Sequence, residues 1–381
     1  MFMKKILLSC THAGFGGVAK YVIDLAEMLS ASKQYEVFIA VGNDHNELLP
    51  KMQERAKQVF LVRNLKRSLN PVRDFLAYLE IKELLKANRF DIVHSNGPKA
   101  GFLFRRVCYE LGIPNIYTHH LVVYKQFRTM LNPLYRELER MASNWCNKVI
   151  TVCEAAKREL CRDRVTPCEK IEVVHNGLKN ADPRYSKEDA RKKMQIPSDS
   201  FVFVSVSRLS QPKDPVTTLR AFAKLKAECR WSNLFLFFVG DGPYRMRMES
   251  IIKNERLDNQ VFITGFQQDV ELYLAASDAF VLSTFKEGFP ISILEAMKYS
   301  LPIVASKVDG IPEQVINGEN GFLFEPGNVE DCCTCMKKIT MNDELRKQLG
   351  SASRRLLLER FMLEKNFVRI LDIYREVLRG S

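Results

Sequence analysis

The feature that most constrains this chain is an alternation of strand and helix that runs its course, stops at a polar stretch, and starts again. The spacing predicts strands at Ile6–Cys10, Glu36–Val41, Asp91–His94, Asn115–Thr118 and Lys148–Val152. Helical periods fall between and after them at Tyr21–Ser30, Asp74–Ala87, Ala100–Leu111, Leu134–Asn144 and Ala155–Arg162. The segment Asn176–Ser200 then turns polar, with Pro183, Pro197 and clustered charge, and reads as a linker carrying a short helix at Lys187–Met194. After it strands return at Phe201–Val206, Leu234–Val239, Val261–Thr264, Ala279–Ser283 and Pro302–Ala305. Helices are expected at Val216–Ala227, Tyr244–Asn254, Ile291–Lys298 and through most of Asp343–Leu378. Consecutive parallel strands need long crossovers, and those crossovers are right-handed. The expectation is an α/β chain of two doubly wound, Rossmann-like domains facing a central cleft, residues 1–180 and 181–360. In such sheets ligands gather beyond the carboxyl ends of the strands, so the residues after each strand carry the functional weight.

Composition permits this. The 381 residues are 46% hydrophobic and 27% charged, enough for two cores and unlike a disordered, collagenous or disulfide-stapled chain. No apolar run approaches the ~20 residues of a membrane-spanning helix. The opening residues, with Lys4-Lys5 before a very short apolar run, read as a first strand rather than a secretory leader, so a cytoplasmic protein is expected. Ten cysteines are scattered except for Cys332, Cys333 and Cys335, and no second ligand pair follows these at zinc-site spacing; neither a metal site nor a disulfide is expected. Net charge is +12, and residues 1–180 hold 28 Lys and Arg against 18 Asp and Glu, so the basicity belongs to the first domain. No helix-turn-helix, zinc-finger or RNA-recognition pattern accompanies it, which leaves anionic lipid or phosphate-bearing substrates ahead of nucleic acid.

Three strand ends carry suggestive chemistry. The first strand runs into His12-Ala13-Gly14-Phe15-Gly16-Gly17-Val18, whose glycines allow backbone N–H groups at a helix start to approach an anion. Their spacing is not the dinucleotide-binding fingerprint, and an ordinary tight turn is an equal reading. Arg208 and Lys213 follow the first strand of the second domain, two cations suited to a diphosphate. The most informative stretch is Lys286-Glu287-Gly288-Phe289-Pro290-Ile291-Ser292-Ile293-Leu294-Glu295-Ala296-Met297. It places Glu287 in a loop, Gly288 where a close approach is needed, and Glu295 two turns into a helix, within reach of a sugar hydroxyl pair.

The Glu287–x7–Glu295 pattern resembles the retaining glycosyltransferases of family 4, which have the GT-B fold. Gly16-Gly17, Asn176-Gly177, Arg208 with Lys213, Gly240-Asp241-Gly242-Pro243, Thr264-Gly265-Phe266, and Pro302-Ile303-Val304-Ala305-Ser306 leading to Gly310-Ile311-Pro312-Glu313 follow the family in the same order. The resemblance implies a nucleotide-sugar donor held mainly by the second domain, a glycan or lipid-linked acceptor held mainly by the first, and a C-terminal helix, 361–381, packing back toward the first domain. Arg208 and Lys213 would take the diphosphate and Glu295 the ribose. Gly265, Phe266 and Val270 would border the base, and Glu287 the donor sugar. The backbone from Gly288 and Phe289 through Pro290 (which has no N–H), Ile291 and Leu294 would lie along the phosphates and nucleoside. Gly16 and Gly17 would close over the donor. The family's threonine–x–histidine pattern selects His120, although Leu121 stands where many members have Gly or Asp.

The chemistry that the resemblance implies is a metal-independent, retaining transfer of a hexose-type sugar from a UDP- or GDP-sugar, with no cofactor. Cations and a helix N-terminus would stabilise charge on the departing phosphate. The acceptor side rests on a basic, apolar surface formed by Arg105, Arg106, Lys125, Arg128, Arg136 and Arg140 near Phe102, Phe104, Tyr124, Phe127, Met130, Leu131, Leu134 and Tyr135, suited to anionic lipid. The resemblance places such an enzyme in cell-surface polysaccharide, lipopolysaccharide or capsule synthesis. A nucleotide-sugar epimerase and a non-catalytic, transferase-like partner subunit are the alternatives.

Overall fold

The structure is a computed structural model that describes residues 3–122, 132–229 and 233–380. It divides into two compact units: residues 1–176 with 364–381, and residues 177–363. Among the described residues unit 1 carries seven parallel strands: β1 (Lys4–Cys10), β2 (Tyr35–Gly42), β3 (Gln58–Val62), β4 (Ile92–Asn96), β5 (Asn115–His119), β6 (Lys148–Thr151) and β7 (Ile171–Val173). Their order is β3-β2-β1-β4-β5-β6-β7, so the winding reverses between β1 and β4. Unit 2 repeats the plan with β8 (Phe201–Val206), β9 (Leu234–Val239), β10 (Val261–Gly265), β11 (Ala279–Leu282), β12 (Ile303–Ser306) and β13 (Gly321–Phe324), ordered β10-β9-β8-β11-β12-β13. Its reversal lies between β8 and β11.

Both faces of the first sheet are covered, and the two-residue period of the strands sorts the core. Ile6 and Leu8 pack with Ile39, Ile92, Val22 and Leu25 on one face, while Leu7 packs with Phe38, Val93, Ile81 and Phe104 on the other. The last helix, Leu363–Arg379, belongs to this unit: Phe367, Ile370, Ile373, Tyr374 and Val377 are buried in the Ile6 face. One buried side chain fastens it. His94 on β4 sits 2.7 Å from the Tyr374 hydroxyl through Nδ1 and 2.6 Å from Thr118 Oγ1 through Nε2.

Helix starts follow local chemistry. Asn70 accepts from the Arg73 N–H at 3.0 Å with Pro71 at the first helical position of Pro71–Ala87, and Asn342 accepts from Leu345 N–H at 2.9 Å at the head of Asp343–Arg360. The short helix Lys187–Met194 has Ser186 as its cap and ends at Gln195 in the left-handed region.

Two expectations are corrected. Cys161 and Cys168 are joined as a disulfide, with Cα atoms 5.4 Å apart, where none was expected. The chain leaves the helix Glu154–Arg162 and doubles back through Pro167, so two cysteines seven residues apart meet across a turn that spacing alone does not reveal. The basic surface assigned to 102–140 also loses members. Arg105 is fully buried, stacked 3.9 Å over the Tyr117 ring and paired with both oxygens of Glu139 at 2.8 and 3.1 Å; Phe104 is core. Arg106 pairs with Glu110 at 2.9 Å. Tyr124, Lys125, Phe127, Arg128, Met130 and Leu131 lie outside the described residues.

Candidate active site

The residues singled out in the second half converge on the carboxyl edge of unit 2. Arg208 and Lys213 occupy the loop after β8, Glu287 to Pro290 the loop after β11, and these two strands are hydrogen-bonded neighbours at the reversal of winding. Lys213 Nζ donates to Glu287 Oε2, joining the loops by an ion pair in which both side chains are largely buried. Arg208 is exposed, and no ion pair to its guanidinium forms among the described residues. The loop pair is laced by further bonds. The Phe285 N–H donates to the Pro212 carbonyl at 2.9 Å, Thr284 Oγ1 donates to the same carbonyl at 2.8 Å, and the Thr284 N–H donates to Ser306 Oγ at 2.9 Å. A site held this way is preorganised, so ligand binding need not order it.

Glycine is required at two adjoining positions. Gly240 and Gly242 follow β9 with φ of +148° and +159°, and a Cβ there would come within 2.0 and 2.3 Å of the Ser207 and Leu209 carbonyl oxygens. Backbone of the β9 loop is thereby pressed against the Arg208 segment. Gly265, with φ +71°, ends β10 and accepts the Gly240 N–H at 3.0 Å; Phe266 beside it is 50% exposed, and Val270 opens the helix Val270–Ala276. Glu295 is half-buried on the helix Ile291–Lys298, whose first turn has no side-chain cap, the condition under which its N–H groups suit an anion. Phe289 and Leu294 contribute core side chains, Phe289 edge-on to Phe361 at 5.3 Å, so only their backbone remains for a ligand.

One residue that sequence reasoning missed supports this loop. Asp309, after β12, adopts φ +43° and accepts the Glu287 N–H through Oδ2 at 2.9 Å, while Oδ1 lies 3.8 Å from Lys286 Nζ. The Asp309-Gly310 dipeptide after a strand was the available signal.

Unit 1 holds the remaining three. Gly16 and Gly17 are exposed at the start of the helix Gly17–Ala31, and a Cβ on either would meet nothing within 4 Å. The steric demand falls instead on Gly14, whose Cβ would lie 2.8 Å from His45 Cβ and 2.9 Å from His12 Nδ1. Of the paired histidines, His119 is 2% exposed and faces the Arg105–Glu139 pair, with Nε2 4.0 Å from Glu139 Oε1. His120 sits at the carboxyl end of β5, its Nε2 3.1 Å from Asn96 Oδ1 and its ring edge-on to Tyr21 at 4.8 Å. An amide oxygen only accepts, so this bond assigns the proton to Nε2 and leaves Nδ1 as the acceptor. Burial, with His119 adding to it, holds His120 down to about 3, and the ring is neutral at physiological pH. Asn96, fully buried at the end of β4, was not anticipated. Among the described residues no group of three or more His, Cys, Asp or Glu side chains is placed to hold a metal ion, and no helix is long and apolar enough to cross a membrane.

Known proteins match this arrangement along nearly the whole chain. Residues 15–180 match the model of glycosyltransferase family 4 and residues 186–356 that of the group 1 glycosyl transferases. An Escherichia coli protein described as a UDP-Gal:alpha-D-GlcNAc-diphosphoundecaprenol alpha-1,3-galactosyltransferase is 26% identical over 327 residues, 84% of each chain. Among solved structures, sucrose-phosphate synthase from Thermosynechococcus elongatus superposes with a TM-score of 0.84 at 21% identity, covering 99% of this chain and all of that one. HepE of Anabaena, solved with UDP and glucose, gives 0.83 at 21% identity over 98% of this chain and all of its own. Two parallel-sheet units with their reversals at β1/β4 and β8/β11, and two family models in tandem, identify the chain as a GT-B glycosyltransferase of the family 4 type.

Proposed function

We propose that the protein transfers a hexose-type sugar from a nucleotide sugar, a UDP-sugar rather than a GDP-sugar, to a glycan or lipid-linked acceptor with retention at the anomeric carbon and without a metal ion. The setting is the cytoplasmic side of the membrane, in cell-surface polysaccharide synthesis. The observation that carries this is the ion-paired Lys213 and Glu287 beside exposed Arg208, at the point where the second sheet reverses. The galactosyltransferase from Escherichia coli, by its description, uses a UDP-sugar and a diphosphoundecaprenol acceptor, and the Anabaena protein was solved with UDP; both support the choice of donor.

The chemistry is governed by charge. As the bond between the anomeric carbon and the β-phosphate oxygen breaks, negative charge grows on the phosphate. Arg208, Lys213 and the first turn of Ile291–Lys298 stabilise it most when it is largest, which lowers the barrier. The acceptor hydroxyl forms the new bond on the same face, and its proton passes to the departing phosphate. Glu287, already engaged by Lys213, holds the donor sugar's hydroxyls and is not a nucleophile. Glu295 holds the ribose, Gly265, Phe266 and Val270 flank the base, and His120 contributes a neutral imidazole toward the sugar.

Calorimetry with UDP, GDP and ADP in the presence of EDTA tests the donor. Selective binding of UDP is expected, and equal or absent binding of all three contradicts the reading. Glu295→Ala should weaken nucleotide binding by about 10- to 100-fold, the loss of a charge-assisted hydrogen-bond pair. Lys213→Ala should abolish transfer with the fold intact; wild-type rates in both variants would overturn the site assignment.

A further inference from the structure

The helix Pro71–Ala87 buries one apolar stripe and exposes another. Ala77, Ile81 and Leu85, spaced by four, lie in the core of unit 1. Val72, Phe75, Leu76 and Leu79 recur at i, i+3, i+4 and i+7 on the other side and are 70, 60, 41 and 39% exposed; Leu69, just before the helix, is 71% exposed. A helix apolar on two sides is built to be covered on both. Elsewhere among the described residues the large exposed apolar side chains are more scattered along the chain, as Met246 and Met341 are.

The charge around the stripe says what covers it. Residues 63–86 contain six Lys and Arg against three Asp and Glu. Two of the three carboxylates are engaged internally: Asp74 pairs with Lys99 at 2.6 Å, and Glu80 accepts from the Asn64 side chain at 2.6 Å. Lys82 is spent on Glu110 at 2.9 Å. Arg63, Lys66, Arg67 and Arg73 make no ion pair among the described residues, and the last three lie within four residues of Leu69. A second copy pressing the same patch against this one would bring these cations together, which disfavours self-association.

We propose that this stripe is a docking surface for an anionic lipid bilayer, with the helix Pro71–Ala87 lying in the interface plane. Val72, Phe75, Leu76 and Leu79 enter the boundary of the acyl chains, and Lys66, Arg67 and Arg73 meet the headgroups. This surface is distinct from the 102–140 surface expected from the sequence. Docking of this kind stands apart from the donor reading, because it needs neither sugar nor acceptor.

The test is cosedimentation of the full chain with vesicles of phosphatidylcholine alone, and with phosphatidylglycerol added. Binding only to the anionic vesicles, weakening as salt rises, is expected. The double variant Phe75→Asp, Leu79→Asp should abolish it with an unchanged circular dichroism spectrum and thermal midpoint. Arg67→Glu and Arg73→Glu should each lower partitioning at least about fivefold. The control pair Met246→Asp, Met341→Asp, at exposed apolar positions of unit 2, should bind as wild type. Failure of the wild type to bind anionic vesicles, undiminished binding by the stripe variant, or loss of binding in the control pair overturns the proposal. So does sedimentation velocity in which the stripe variant turns a dimer into a monomer, which assigns the stripe to a second copy.

Discussion

A single amide oxygen decides the protonation of His120. Asn96 Oδ1 accepts from Nε2 at 3.1 Å, and burial keeps the ring neutral. Asn96→Asp puts a carboxylate where the amide was, and a nearby negative charge favours imidazolium. The imidazole should then titrate at a higher pH than in the wild type, an upward shift readable by NMR, and transfer should acquire a new ionisation in its pH profile; an unshifted resonance contradicts the assigned contact. His94 is held down to about 3 in the folded state, with burial the main cause. Below the usual histidine value the unfolded chain binds the proton first, so stability is lost as pH falls from about 6.5 toward 3, at up to about 1.4 kcal/mol per pH unit. Urea unfolding across that range measures it, and His94→Gln should flatten the slope. The sequence disclosed residues whose type and strand-end position coincide, such as Arg208, Lys213 and Glu287. It did not disclose Asn96 or Asp309, which act by accepting one hydrogen bond from a neighbour distant in sequence.

Among the elements, the strands that read as apolar runs were legible, and three of the four sheet edges were not. β1, β2, β8, β9 and β11 read as apolar runs, and β4 opens on one; β3, β7 and β13 lie at sheet edges, where Gln58, Glu172 and Gly321 interrupt the pattern, while the edge strand β10 keeps its Val261-Phe262-Ile263 run and was legible. At Gly321 a Cβ would lie 2.0 Å from the Ile303 carbonyl oxygen, so glycine is what lets β13 pair with β12. Gly321→Ala should destabilise unit 2 by more than about 2 kcal/mol, visible in its unfolding midpoint. In the loop after β12, Asp309→Gly relieves the left-handed backbone but removes the acceptor of the Glu287 N–H. It should leave stability near wild type and lower kcat, with Asp309→Asn restoring part of the loss; rates equal to wild type in the glycine variant contradict a positioning role.

For the whole molecule the decisive fact is that unit 1 is discontinuous. Phe367, Ile370, Ile373, Tyr374 and Val377 fill the core above β1, β2 and β4, and Tyr374 satisfies His94. Removing residues 364–381 uncovers that face at about 1.5–3 kcal/mol for each large side chain, a sum comparable to a domain's entire stability. Truncated protein should therefore show unit 1 open to protease while unit 2 remains resistant. Tyr374→Phe, which leaves one ring nitrogen of His94 unsatisfied, should cost about 1–3 kcal/mol. The entry and exit of unit 2 meet at the bridge between Leu178 and Met362, so its 187 residues are threaded into unit 1 as a closed loop. During synthesis, then, the first half of the nascent chain emerges with one face of its sheet only partly covered, by the helix Gly17–Ala31, and waits for the second half to be made. At ordinary elongation speeds that wait is roughly ten to forty seconds. Unit 2 is complete before unit 1 closes, and a ribosome that stalls anywhere short of the last helix releases a product whose first unit cannot finish folding.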